Sequence, residues 1–218
     1  MKVTTDASIL GAWFAAKKMD LSYILDLGSG TGLLILMLAQ KSNAEIHGIE
    51  IDEEAFQQLQ ENIHRSPWKE KCSVIKGDVR DHPFTLKYDF IITNPPFYEN
   101  QLTSPHEKIN LARHSSSLSL EELFLCAVNN LTECGSLGIL MPYQRENECI
   151  EIAAKHDFHL AESLQVRQTP GHGMFRSILH FSRKPVEQPS KKQLTIANSH
   201  QEYSPEFTEL MKDYYLKC

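Results

Sequence analysis

The sequence predicts an α/β protein, a Rossmann-like doubly wound sheet of seven strands, mostly parallel, closed by a C-terminal antiparallel hairpin. Three observations carry that expectation. Short apolar strands alternate with stretches of helical periodicity along the first two thirds of the chain. A glycine-rich turn lies between the first strand and the helix after it, and two strand-like stretches near the C terminus flank Pro170–Gly173. Such alternation implies parallel strands with crossover helices, and sheets of this kind bind ligands at the carboxyl ends of their strands.

Each element has its own signal. "DASILGAWFAAKK" (6–18) begins on a capping Asp, places Ile9, Leu10, Trp13 and Phe14 at helical spacing and ends in lysines, so a helix is expected there. "YILDLG" (23–28) is a short apolar strand, and "LLILMLAQK" (33–41) is long and unbranched enough to be a buried helix. A second strand follows at 45–51, then a helix face marked by Phe56, Leu59 and Ile63, then strands at 72–78 and 88–94. Residues 98–117 have no apolar periodicity and read as a long loop, a kind that usually serves function. Ser119 with Glu122 three residues on forms a capping box, opening a helix expected to stop at Gly135. Beyond it come a strand at 136–142, a helix at 146–156, and a hairpin from 162–169 and 176–183. "KPVEQPSKK" (184–192) reads as a linker, and Ser204 before Pro205 opens a last helix in the stretch 203–216.

At 218 residues, with 41% apolar and 23% charged residues, the chain is expected to be one globular domain spanning 1–218. Its cofactor-binding half is expected at 20–100 and its substrate-side half at 101–218. No apolar run reaches the roughly 18 residues of a membrane span, and the start lacks a secretory signal, so a cytoplasmic protein without membrane contact is expected. The five cysteines are scattered, with no C-x-x-C pair and no histidine at ligand spacing, which predicts reduced thiols and no metal. A net charge of −6 argues against indiscriminate coating of nucleic acid. It leaves room for a local basic face: between Ser163 and Gln193 there are six Lys and Arg, among them Arg167, Arg176 and Arg183, against the single acid Glu187.

The chemistry-bearing residues cluster just after strands. In "DLGSGTG" (26–32), Gly28, Gly30 and Gly32 permit positive φ and close approach of a ligand to the backbone. Their spacing is G-x-G-x-G, whereas a dinucleotide fingerprint needs G-x-G-x-x-G. Asp26, two residues before Gly28, would repel a pyrophosphate and suits a cofactor with a cationic amino-acid end. Glu50 closes the second strand, 22 residues after Gly28, where an acid can accept from both hydroxyls of a ribose. Asp78 closes the third and could accept from an adenine amino group, although Gly-Asp is also ordinary turn chemistry.

Over residues 20–142 this set resembles the class I S-adenosylmethionine-dependent methyltransferases. The resemblance implies that cofactor, with Asp26 and Gly28, Gly30 and Gly32 beside its methionine part, Glu50 on the ribose and Asp78 at the adenine. It further implies that the segment containing Thr4, Thr5 and Asp6 closes over the methionine carboxylate. "NPPF" (94–97) is that family's signature for methylating an amino nitrogen conjugated to a planar group. Acceptors on both N–H bonds, the Asn94 side-chain oxygen and the Pro95 carbonyl, would favour tetrahedral geometry at the nitrogen and free its lone pair. Pro95 and Pro96 fix the direction of that carbonyl, Asn94 also borders the cofactor, and Phe97 would stack on the acceptor base.

"NPPF" by itself serves adenine N6, guanine N2 and the amide of protein glutamine, so a protein-glutamine N5-methyltransferase and an rRNA guanine-N2 methyltransferase stay open as readings. A closer resemblance, over essentially the whole chain, is to the tRNA1(Val) (adenine(37)-N6)-methyltransferase family. It rests on "MKVTTDASILGAW" (1–13), "QENIHRSPW" (60–68), "NPPFYEN" (94–100), "LARHSSSLSLEEL" (111–123) and "QEYSPEFTELMKDYYL" (201–216). That resemblance implies an enzyme acting on tRNA. A monomer is expected; Arg113 and His114, after the long loop, are candidates to meet phosphate or the flanking base, with a surface Arg and a capping His as the alternative, and Arg167, Arg176 and Arg183 are weaker candidates for backbone contact or decoration of the hairpin.

Overall fold

The β-branched and aromatic runs of the sequence form the strands of one eight-stranded sheet in the computed structural model, which describes residues 4–96, 118–200 and 202–215. Along the chain come α1 (Thr5–Ala15), β1 (Tyr23–Leu27), α2 (Leu33–Ala39), β2 (Glu45–Glu50), α3 (Glu53–Arg65), β3 (Cys72–Lys76) and β4 (Tyr88–Thr93). They are followed by α4 (Leu120–Asn130), β5 (Leu131–Pro142), α5 (Glu146–Lys155), β6 (His159–Arg167), β7 (Met174–Ser182), β8 (Ser190–Thr195) and α6 (Pro205–Met211). The strand order is β3-β2-β1-β4-β5-β7-β6-β8. The β1 to β5 ladders are parallel, β7 is antiparallel to β5 and β6, and β8 returns parallel to β6.

Register sets the functional edge. Leu27 lies opposite both Ile49 and Thr93, and Thr93 lies opposite Ile139, so β1, β2 and β4 end level with one another. Gly28 and Asn94 are thus the first residues beyond β1 and β4, level with Glu50, the last residue of β2. The order also reverses between β1 and β4, the switch point where a crevice opens in doubly wound sheets.

Two apolar layers cover the sheet. On one face α1, α2, α3 and α6 contribute Ile9, Phe14, Ile35, Leu59 and Phe207, while α4 and α5 cover the other with Phe124, Ala127 and Cys149. Helix α1 is buried from Ala7 to Ala15, as a helix apolar all round must be. It docks where β5 has no side chain: a Cβ on Gly138 would stand 2.4 Å from the Phe14 ring and 2.8 Å from that of Phe90. His180 completes this aromatic group against both rings, and burial pushes its pKa down to about 4.

Four sequence expectations need correction. The sheet has eight strands, not seven, because β8 begins inside the stretch expected to be a linker. Of "SKKQLT" only Leu194 is buried, so no apolar alternation announces it; its lysines are those of a protected sheet edge, with Lys191 against Glu146 and Lys192 against Glu162. Helix α4 stops at Asn130 rather than Gly135, since Leu131 is already extended. Gly135 instead lies in an irregular stretch of β5, where Leu131 faces Tyr88 but Ser136 faces Phe90. Helix α1 ends at Ala15, before the lysines, because Lys17 leaves it to pair with Glu162 and sit 3.9 Å from the Trp13 ring centroid. The last helix covers only Pro205–Met211 within the predicted 203–216, capped as expected by Ser204.

Candidate active site

Three successive left-handed glycines shape the turn after β1, with φ of 71° at Gly28, 54° at Gly30 and 88° at Gly32. Only glycine holds such angles without strain. Among the described residues a Cβ on Gly28 would meet nothing within 4 Å, so the turn presents bare backbone there. Its N–H groups are anchored from β2: those of Gly28 and Ser29 donate to the Ile49 carbonyl, each at 3.0 Å.

Glu50 is part of the same construction. Its Oε2 accepts from the Gly30 N–H at 2.7 Å and its Oε1 from the Asp52 N–H at 2.8 Å. With 7% exposure its orientation is settled by the backbone, and each oxygen keeps a lone pair for a ribose hydroxyl.

Asp26 stands in sharp contrast. It is fully buried in β1 and, among the described residues, neither carboxylate oxygen has a hydrogen-bond partner; Ser29 donates instead to its backbone carbonyl. Burial, reinforced by the neighbouring Glu50 charge, pushes its pKa up to about 8. An orphaned buried carboxyl beside an open glycine turn is where a positively charged ligand end would be stabilised most. The site residues therefore fit S-adenosylmethionine, whose amino group and sulfonium are cationic.

Asp78 follows β3 two residues past Lys76, and the Gly77 N–H donates to the Glu50 carbonyl. Its carboxylate is already engaged by Arg80, through Nε at 2.9 Å and the Arg80 backbone N–H at 2.9 Å, and this hydrogen bonding holds Asp78 below the usual carboxylate range. Arg80 also reaches Glu122 of the α4 capping box at 3.7 Å. An adenine amino group would share Asp78 with Arg80, a partner that sequence reasoning missed although it sits two positions away.

Asn94, Pro95 and Pro96 leave β4 at the same edge, with Asn94 and Pro95 half-buried and Pro96 exposed. Just before them, the buried Thr93 donates its hydroxyl to the Leu27 carbonyl at 2.9 Å, tying the end of β4 to the end of β1. Phe97, Arg113, His114 and the expected loop at 98–117 lie outside the described residues.

Thr5 and Asp6 open α1. Burial raises the Asp6 pKa, but hydrogen bonds from Thr4 and Arg176 outweigh it and hold the carboxyl low. Arg176 Nε donates to Asp6 Oδ2 at 2.9 Å from β7, opposite Pro142 of β5. The structure thus bonds Glu50 to the glycine turn with Asp26 nearby, sets Asp78 and Asn94 on either side, and ties Asp6 to the β7 flank. The expected basic face divides. Arg167 and Arg176 lie at this edge, whereas Arg183 is at the opposite end of the sheet, bonded to the His156 carbonyl and set against the Phe158 ring. A cleft of about 640 Å³ between α3 and β3, lined by Gln60, His64 and Lys69, touches none of the expected site residues. Among the described residues no group of His, Cys, Asp and Glu is arranged to hold a metal, and no helix is long and apolar enough to cross a membrane.

This chain is similar to several known proteins. The model of the methyltransferase small domain matches residues 8–146. Curated tRNA1(Val) (adenine(37)-N6)-methyltransferases align along the full chain: that of Parabacteroides distasonis is 36% identical over 219 residues, covering 100% of this chain and 92% of that protein. The Dyadobacter fermentans protein of the same name is 38% identical over 221 residues, covering 100% and 91%. Among solved structures, a predicted O-methyltransferase from Agrobacterium tumefaciens superposes with a TM-score of 0.72 at 18% identity, over 94% of this chain and 95% of the other. The glycopeptide N-methyltransferase MtfA in complex with S-adenosyl-L-methionine gives 0.60 at 10% identity, over 83% and 88%. At those identities the two structures establish the fold alone.

Proposed function

This chain belongs to the methyltransferase small-domain family and, within it, to the tRNA1(Val) (adenine(37)-N6)-methyltransferases, and we propose that the strand-end residues described above carry that family's reaction. The enzyme methylates the N6 amine of an adenine in tRNA, at position 37 of tRNA1(Val), using S-adenosylmethionine. The observation that supports the site assignment best is the register that sets Asn94 level with Gly28 and Glu50, beside the orphaned Asp26 carboxyl.

S-adenosylmethionine supplies an electrophilic methyl group on a sulfonium. The chain's own residues bind, orient and activate around it. Asp26 would face the ammonium, Glu50 would accept from the ribose hydroxyls, and the open backbone at Gly28 would admit the methionine part. Asp78, shared with Arg80, would accept from the cofactor's adenine, and the segment of Thr5 and Asp6 would border the methionine carboxylate. On the acceptor side, the Asn94 side-chain oxygen and the Pro95 carbonyl each take an N–H of the target amine. That withdraws the nitrogen lone pair from the ring and aims it at the methyl carbon. With the cofactor bound, the freed lone pair would take the methyl group while the sulfur kept the C–S electron pair, and the methylated nitrogen would release one proton to solvent. A group of matched pKa is not required for that last transfer, because the amine becomes acidic only as it is alkylated. Phe97 is assigned to stack on the adenine, and Arg113 and His114 to the flanking nucleotide or its phosphate.

The decisive experiment incubates the protein with S-adenosylmethionine and tRNA from a strain lacking this modification, followed by nucleoside mass spectrometry. N6-methyladenosine is the expected product. In the same assay Asn94→Ala abolishes transfer while calorimetry finds cofactor affinity within a few-fold of wild type. Full activity in that variant would overturn the mechanism, and methylation of a Gly-Gly-Gln peptide in place of tRNA would reassign the acceptor.

A further inference from the structure

Among the stretches shared with the tRNA methyltransferases, "QENIHRSPW" supplies no residue to the site as described. Its residues 60–65 form the second half of α3, and one of its side chains turns toward the cofactor edge. Asn62 Nδ2 donates to the Thr31 carbonyl at 2.8 Å, both residues being half-buried. Thr31 sits between Gly30 and Gly32, at the tip of the glycine turn. One turn of α3 earlier, Leu59 occupies the space a side chain at Gly32 would need, with its Cδ1 2.6 Å from that Cβ position. The turn is thus gripped from two directions: Glu50 Oε2 takes the Gly30 N–H on one side of Thr31, and Asn62 holds the Thr31 carbonyl itself. A run of left-handed glycines has many alternative conformations once released, so these bonds decide how often the turn is in its open, ligand-ready shape.

We infer that Asn62 is a positioning residue for the cofactor, holding the glycine turn through the Thr31 carbonyl so that the backbone facing the methionine part is preorganised. Asn62 does not reach the reacting atoms; it acts on affinity by sparing the bound state the cost of ordering the turn. The inference rests on the cofactor reading above.

Two near-isosteric variants test it. Asn62→Asp keeps the shape and replaces the N–H donor with a second acceptor, and Asn62→Leu keeps the volume without either. Calorimetry with S-adenosylmethionine, thermal unfolding, and methyl transfer to tRNA at saturating cofactor are measured for each. The expected result is a dissociation constant raised about tenfold in both, the scale of losing the partner of a half-buried carbonyl, with kcat at saturating cofactor within about twofold of wild type. An affinity within twofold of wild type in either folded variant overturns the inference, as does a kcat that falls in step with affinity. Should Asn62→Asp fail to fold, Asn62→Leu alone carries the test. Wild-type protein that does not bind S-adenosylmethionine would remove the cofactor reading itself, whereas normal wild-type binding with unchanged variants would remove only the role of Asn62.

Discussion

Asp26 shows most directly how a residue's surroundings divide stability from function. Burial without a partner raises its pKa from 3.8 to about 8, so between those values the folded protein holds a proton that the unfolded chain has released. The folded state is then favoured at low pH, and this contribution is lost as pH rises from about 4 through 8. Asp26→Asn removes the titration. Its unfolding temperature is expected to exceed that of wild type at pH 8, with the gain shrinking by pH 5, while S-adenosylmethionine binds more weakly for want of a charge opposite the ammonium. Thermal melts at the two pH values with parallel calorimetry check this; an unchanged pH slope in the variant would refute it. Asp26, Glu50 and Asn94 could all be found in the sequence, because each lies at or next to the end of a strand marked by its apolar run. Arg80 and Asn62 could not be assigned that way, since their roles depend on which backbone or side-chain atom lies across from them.

Elements were legible wherever local chemistry sets their limits. The Ser119–Glu122 capping box and the Ser204–Pro205 start appear as the side chains predict, with the Glu122 N–H donating to Ser119 Oγ at 3.2 Å and the Phe207 N–H to Ser204 Oγ at 3.1 Å. Helix ends set by packing were not: α4 yields to β5 at Leu131 because that residue must pair with Tyr88, and Gly135 carries no stop signal in that setting. Gly138 illustrates the same dependence. Nothing in "SLGILMP" says that its missing side chain is the seat of Phe14, yet α1 could not approach β5 otherwise. Gly138→Ala is expected to lower stability by about 1–3 kcal/mol through overpacking against two aromatic rings. Urea unfolding measures it, and a loss below a few tenths of a kcal/mol would show that α1 can shift without penalty.

For the molecule as a whole, the ion pair between Asp6 and Arg176 joins residues 170 positions apart, fastening the first helix to the hairpin beside β5. Both groups are partly exposed, at 17% and 31%, so the attraction is screened by water and salt. A double-mutant cycle with Asp6→Asn and Arg176→Ala should return a coupling of about 0.5–1 kcal/mol at low ionic strength, smaller in high salt. Because the Asp6 pKa is depressed, this stabilisation is present above its unfolded value near 3.8 and disappears as pH falls below it. A coupling of zero in low salt would show that the two ends are held by apolar packing alone.

The sequence by itself determined the parallel α/β architecture, the glycine turn and the acids and asparagine at successive strand ends, because period, turn chemistry and position after a strand are properties of neighbouring residues. Tertiary structure alone decided that β8 exists, that the basic face splits between opposite ends of the sheet, that Asp26 is without a partner, and that Asn62 grips the glycine turn. Each of these follows from contacts between segments far apart in the chain, set by strand order and register, which no local pattern encodes.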